Sequence, residues 1–145
     1  MENNTYFNLI KENIDINYYY NLALSPECGA VSIFSGITRN YFENKKVEKL
    51  SYSAYSDMVY SEFKKIEESV RSKWCVSKII FIHRLGEVKI SECSILIVIS
   101  SNHRCDSLAA VEYSINKLKE CVPIWKKEIY TNNDSKWKEN KEFFN

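Results

Sequence analysis

No stretch of this chain runs apolar for the roughly 18 positions that a membrane-spanning helix needs. Its start, Met1-Glu2-Asn3-Asn4, lacks both the basic end and the apolar stretch of a secretion signal, so a cytosolic protein is expected. An excess of one charge is missing too. With 20 Lys+Arg against 19 Asp+Glu the net charge is +1, which excludes the broad basic surface of a general nucleic-acid binder. Cysteines 28, 75, 93, 105 and 121 are odd in number and form no Cys-x-x-Cys pair. Neither a disulfide framework nor a zinc ribbon is suggested, and no bound metal is expected. Internal repeats are absent. At 145 residues the chain reads as one domain, 1–145, whose only biased stretch is a polar tail over 132–145.

What is present is concentrated near the end. Over 105–122 the apolar residues Leu108, Val111, Ile115, Leu118 and Val122 recur at spacings of three and four, one stripe of a helix. Lys119 falls roughly 60° from the centre of that stripe and Lys117 roughly 140°. Lys119 is therefore expected at the edge of the core, where desolvation favours a neutral amine able to act as base or nucleophile. The plain alternative is a lysine laying its stem over apolar surface. Pro123 ends the helix, and the chain should leave extended over 124–130. Alternation then puts Ile124, Lys126 and Glu128 on one face and Trp125, Lys127 and Ile129 on the other.

Upstream, Ser94-Ile95-Leu96-Ile97-Val98-Ile99-Ser100 has the unbroken apolar run of a strand buried on both faces. Ser101-Asn102-His103-Arg104 turns from it into the helix, with Asp106 as the expected N-cap. Free amides, a guanidinium and an imidazole there make a receptor for phosphate. His103 and Arg104 are expected to gather with Lys119 and Lys126 into one site for an anionic substrate.

Elsewhere, 6–14 reads as a first strand and 17–24 as a short helix, with Tyr18, Tyr19 and Tyr20 expected to pack. A long strand over 29–39, the polar loop 40–46 and a return over 47–55 suggest an antiparallel hairpin with Arg39 at its rim. Ser56-Asp57 opens a helix lined by Val59, Phe63, Ile66 and Val70, followed by a strand over 78–85 and a turn or strand extension over 86–92. His83, on that apolar-rich strand, reads as a structural residue. The mixture of segregated and alternating elements implies an α+β domain, a mixed or antiparallel sheet with packed helices. Trp137, Phe143 and Phe144 in the tail suggest docking on a subunit surface.

Four ordered segments carry a resemblance: Gly29-Ala30-Val31-Ser32-Ile33-Phe34-Ser35-Gly36-Ile37-Thr38-Arg39-Asn40, His83-Arg84-Leu85-Gly86, Ser100-Ser101-Asn102-His103-Arg104, and Val122-Pro123-Ile124-Trp125-Lys126-Lys127-Glu128. Together they resemble the large, catalytic subunit of molybdopterin synthase, and the likeness runs from about residue 28 to 142. The resemblance implies an α/β hammerhead fold and a sulfurtransferase of molybdenum cofactor biosynthesis. Its substrate would be cyclic pyranopterin monophosphate, converted to the dithiolene of molybdopterin. Its sulfur would come from the C-terminal Gly-Gly thiocarboxylate of a small ubiquitin-like subunit, with no resident cofactor. It further implies a homodimer within a two-plus-two heterotetramer.

Carried over position by position, the resemblance places Arg39, His103 and Arg104 on the pterin phosphate, and Lys119 and Lys126 next to the chemistry. Lys127 and Glu128 complete the substrate-binding segment, partly through backbone. One departure is Ile37, where the family often has a second threonine: either the lost hydroxyl weakens a pterin contact or, as the parity shared with Val31 and Ile33 favours, the side chain faces the core. Two other classes fit the residues: a module that binds a ubiquitin-like tail or a phosphorylated metabolite without turnover, and a persulfide sulfurtransferase using Cys105 or Cys121.

Overall fold

The computed structural model describes residues 4–131 and the backbone of Ser135–Glu139. In chain order the first elements are β1 (Thr5–Ile10), α1 (Ile16–Ala23), β2 (Ala30–Ile37), β3 (Tyr41–Phe42), β4 (Lys45–Ala54) and α2 (Ser56–Lys73). There follow β5 (Val76–Arg84), β6 (Gly86–Lys89), β7 (Cys93–Ser101), α3 (Arg104–Cys121), β8 (Ile124–Tyr130) and β9 (Ser135–Glu139).

The Ile/Val-rich runs of β5 and β7 fit a pleated surface covered on both sides, and they form the centre of a sheet ordered β1-β5-β7-β2. β1 runs parallel to β5, and the other two pairings are antiparallel. One face carries Ile79, Phe81, Ile95, Ile97 and Ile99 against α2 and α3, and the other carries Ile80, Ile82, Leu96 and Val98 against α1. Phe7 stacks on Phe81 with centroids 5.5 Å apart, and Phe63 of α2 meets both rings edge-on. Each such ring contributes roughly 1.5–3 kcal/mol by leaving water.

The second sheet is ordered β3-β4-β8-β9, with β6 also paired to β4. The hairpin expected between 29–39 and 47–55 does not form. β2 pairs with β7, and β4 pairs with β8 and β6 in the other sheet. The chain changes sheets at Thr38, whose backbone is bonded to Glu92 and Ser91. The tight hairpin is instead β3–β4, turned by Glu43 and Asn44, both at positive φ as a two-residue primed turn requires. Part of the supposed tail is β9, an antiparallel neighbour of β8. The Trp137 side chain, Phe143 and Phe144 lie outside the described residues.

Other expectations need correcting. α1 uses Asp15 as its N-cap, and of the three tyrosines Tyr19 packs on the core, with the exposed Tyr18 edge-on against it and Tyr20 exposed. α3 begins after His103, and Asp106 lies within its first turn. Its orphan Ser107 amide is satisfied instead by the Ser101 hydroxyl, at 3.1 Å. Leu108 is 58% exposed, because the buried face of α3 is centred on Ser107, Ala110, Val111, Ser114 and Leu118. The small serines let the helix approach the sheet closely: Ser107 and Ser32 of β2 share a hydrogen bond of 2.8 Å. Ile37 does not face the core. It is 57% exposed, since β2 is an edge strand and its far end bulges at Gly36/Ile37.

Candidate active site

The end of α3, the middle of β8, β4 and the end of β2 line a cavity of about 320 Å³. Pro123 turns the chain between α3 and β8, so Lys119 and Lys126 enter the same space from two walls. Arg39 reaches it from just beyond β2. Gly36 lies in the wall, where an added Cβ would stand 2.7 Å from Ile95 Cγ2, so only glycine allows that approach.

The alternation expected for 124–130 holds. Ile124 and Glu128 are buried and Trp125 is 42% exposed; Lys126 and Glu128 line the cavity, while Lys127 does not. Lys119 is half-buried, as expected, but so is Lys117, which pairs with Glu120 at 3.3 Å with 41% of its side chain exposed; the buried face of α3 lies off the apolar stripe, so burial does not separate the two lysines.

Opposite Lys126 in the ladder stands Tyr52, and opposite Glu128 stands Leu50. Because cross-strand partners project to the same face, all four line the cavity. Lys126 Nζ lies 5.6 Å from the centre of the Phe42 ring and 3.9 Å from Glu128 Oε1. Glu128 Oε2 accepts a hydrogen bond from the buried Tyr130 hydroxyl. That bond pushes the Tyr130 phenol up to about 12. Arg39, Lys119 and Lys126 thus set three cations against the one carboxylate, with apolar Phe34, Leu50 and Ile115 also in the lining. Such a cavity favours an anionic ligand with an apolar ring.

His83 adjoins this floor. It is 1% exposed, its Nδ1 is 2.7 Å from the Arg84 carbonyl oxygen, and its ring meets Tyr52 edge-on at 4.9 Å. Burial pushes its imidazole down to about 4, the Arg84 carbonyl opposing this and the charge of Lys119 adding to it.

His103 and Arg104 are not brought to this cavity within one protomer. Both are exposed at the opposite end of α3, and Lys119 lies fifteen residues beyond Arg104, roughly 22 Å at 1.5 Å per residue. The expected gathering of imidazole, guanidinium and amine fails because most of the length of α3 separates them. The cysteines offered as persulfide carriers are also elsewhere. Cys105 is exposed in the first turn of α3, and Cys121 lines a separate hollow with Met58 and Pro123. Tyr52, Phe42 and Tyr130 were missed by sequence reasoning. Strand parity groups Tyr52 with Leu50, but only the pairing with β8 puts them opposite Lys126 and Glu128.

Comparison with known proteins gives one family. The family model described as MoaE protein matches residues 9–121. The molybdopterin synthase catalytic subunit of Taeniopygia guttata is 53% identical over 140 residues, covering 96% of this chain and 90% of that protein. The protein of the same name from Homo sapiens is 51% identical over 137 residues, covering 94% and 72%. Among solved structures, molybdopterin synthase from Staphylococcus aureus superposes with a TM-score of 0.85 at 37% identity, covering 90% of this chain and 94% of that one. A complex of subunits 1 and 2 of the molybdopterin-converting factor from Helicobacter pylori gives 0.75 at 27% identity, covering 94% and 90%.

Proposed function

We infer the reaction from one premise: this chain belongs to the MoaE protein family, that of molybdopterin synthase catalytic subunits. Its activity is enzymatic sulfur transfer in the formation of molybdopterin, with a small subunit as partner. In the finer reading, the cavity receives cyclic pyranopterin monophosphate, and the C-terminal Gly-Gly thiocarboxylate of a ubiquitin-like subunit enters beside Lys119. The observation that carries this assignment is the convergence of Lys119 and Lys126 with Arg39 in one partly apolar cavity.

Each transfer forms a bond between the thiocarboxylate sulfur and a pterin carbon while a carbon–oxygen bond of that carbon breaks, the oxygen leaving as water or with the ring-opened phosphate. The acyl–sulfur bond then breaks, the acyl group passing to water or transiently to the Lys119 amine. Lys119 serves as base or acyl acceptor, and Lys126 stabilises developing negative charge and donates a proton. Glu128 steadies Lys126, while Lys127, facing away, contributes through its backbone. Sulfur is supplied by the partner, so the reading calls for no resident metal or cofactor. Its setting is the cytosol, where free thiols persist.

His103 and Arg104 require a second copy of the chain. Their distance from the cavity of their own protomer is compatible with service in a neighbour's cavity, as phosphate ligands across a homodimer flanked by two small subunits. The test is reconstitution with a thiocarboxylated small subunit and cyclic pyranopterin monophosphate, following dithiolene formation. Binding of both without turnover would instead assign the chain to a non-catalytic module.

A further inference from the structure

Beneath the cavity lies a histidine that neither the sequence reading nor the reaction above employs. His83 stands on β5 opposite Ile95 of β7, and Ile95 lines the cavity. Its ring packs on Tyr52, the cross-strand partner of Lys126, and Tyr52 and Ile95 line the same cavity as Lys119 on the last turn of α3. One buried imidazole therefore adjoins both walls from which the lysines emerge.

The tautomer follows from the backbone. Arg84 O is an acceptor only, so Nδ1 at 2.7 Å must carry the proton and donate. In the neutral ring Nε2 is then unprotonated, a hydrogen-bond acceptor. Its burial makes charging unfavourable, so the group remains an uncharged acceptor across the working pH range.

We propose that His83 is a positioning residue for Lys119: a neutral imidazole, anchored at the Arg84 carbonyl and braced by Tyr52, offers its Nε2 lone pair to the lysine amine. A carboxylate in that place would neutralise the lysine and cancel the cavity's attraction for anions. A neutral acceptor fixes the amine and leaves the charge balance untouched. This inference rests on the role given to Lys119 above.

The experiment reads the contact itself in the full-length chain. Histidine is present only at 83 and 103, so imidazole ¹⁵N resonances assign readily. The His83 Nε2 resonance should show an unprotonated, hydrogen-bonded nitrogen, and Lys119→Met should move it to the position of a free one. An unchanged resonance overturns the inference. Competitive acetylation with peptide mass spectrometry provides the second measurement. His83→Phe should raise Lys119 labelling about threefold relative to Lys64, and His83→Gln, which keeps an acceptor, should not. In the reconstituted reaction His83→Phe should lower kcat about tenfold with KM for the pterin held within about twofold, and His83→Gln should restore most of it. Equal behaviour of the two variants overturns the proposal. If the unaltered protein forms no dithiolene, the reaction assignment falls, while the resonance and labelling still decide the His83 contact.

Discussion

Lys126 Nζ lies 3.9 Å from Glu128 Oε1, two residues further along the same face of β8, while the other oxygen of that carboxylate accepts the Tyr130 hydroxyl. One buried acid thus orients a cavity lysine and holds a phenol protonated. Glu128→Gln keeps the shape and removes the charge. Tyr130 should then titrate from about 12 back toward the ordinary value near 10, read by ultraviolet tyrosinate titration against Glu128→Gln/Tyr130→Phe. Dithiolene formation should fall about tenfold, because Lys126 loses its guide. A tyrosine spectrum identical to that of the unaltered protein would show that the carboxylate does not hold the phenol.

Lys119→Ala and Lys126→Ala should each lower dithiolene formation by about 10²–10³-fold, the range in which a positioned acid, base or charge operates. Both side chains are half-buried rather than core residues, so melting temperatures should change little. Single-turnover assays beside thermal melts check the pair. Full activity in Lys119→Ala would remove that amine from the reaction.

His103 and Arg104 stand too far along α3 to serve the cavity of their own protomer. In the proposed homodimer a mixture of Arg104→Ala and Lys119→Ala chains should therefore recover activity that neither has alone, since a mixed dimer would hold one cavity with all its parts. Refolding the two together and assaying dithiolene formation tests this. Recovery absent from verified mixed dimers would confine the site to one copy.

What could be read from the chain divides by physical range. The half-buried lysine and the alternation of β8 were legible because helix and strand periods are local properties, and Lys119, Lys126 and Glu128 stand where those periods put them. Sheet partners were not legible. Nothing within 29–55 distinguishes a hairpin from two strands in different sheets, and the answer depends on β7 and β8, some fifty or more residues away. Tyr52 and His83 became site neighbours only through those pairings. Leu108 and Ile37 failed for a related reason: apolar character marks a possible face, but the serines of α3 and the edge position of β2 decide which face is covered.

Arg71 should be the costliest surface-accessible residue to remove. Its Nε lies 2.7 Å from Glu67 Oε2, and its other nitrogens donate to the Ser77 and Asn4 carbonyls and the Thr5 hydroxyl, joining α2 to the β1 and β5 edge. Glu67 is 3% exposed, so Arg71→Ala strands a buried carboxylate with only the mostly solvated Lys64 for a partner. The expected loss is about 3 kcal/mol by urea unfolding. Arg71→Ala/Glu67→Leu should regain part of it, since the stranded charge is then gone.

Stability should fall in mild acid because of His83. Its imidazole titrates at about 4 when folded and at the ordinary 6.5 when the chain is open, so between those values the unfolded state binds a proton that the native state refuses. Stability therefore rises with pH through this window: it is fully present above about 6.5 and is lost as pH falls toward 4. The loss should reach about 2 kcal/mol at pH 5 and about 3 kcal/mol at pH 4. Glu92, held below its usual value mainly by the Lys89 amide and also by Arg84, adds its own loss only at the acid end. Urea denaturation at pH 7.5 and pH 5 isolates the histidine, because His83→Gln has nothing to protonate there and should lose far less between the two. Parallel losses in both proteins would mean that the buried imidazole is not the group that titrates.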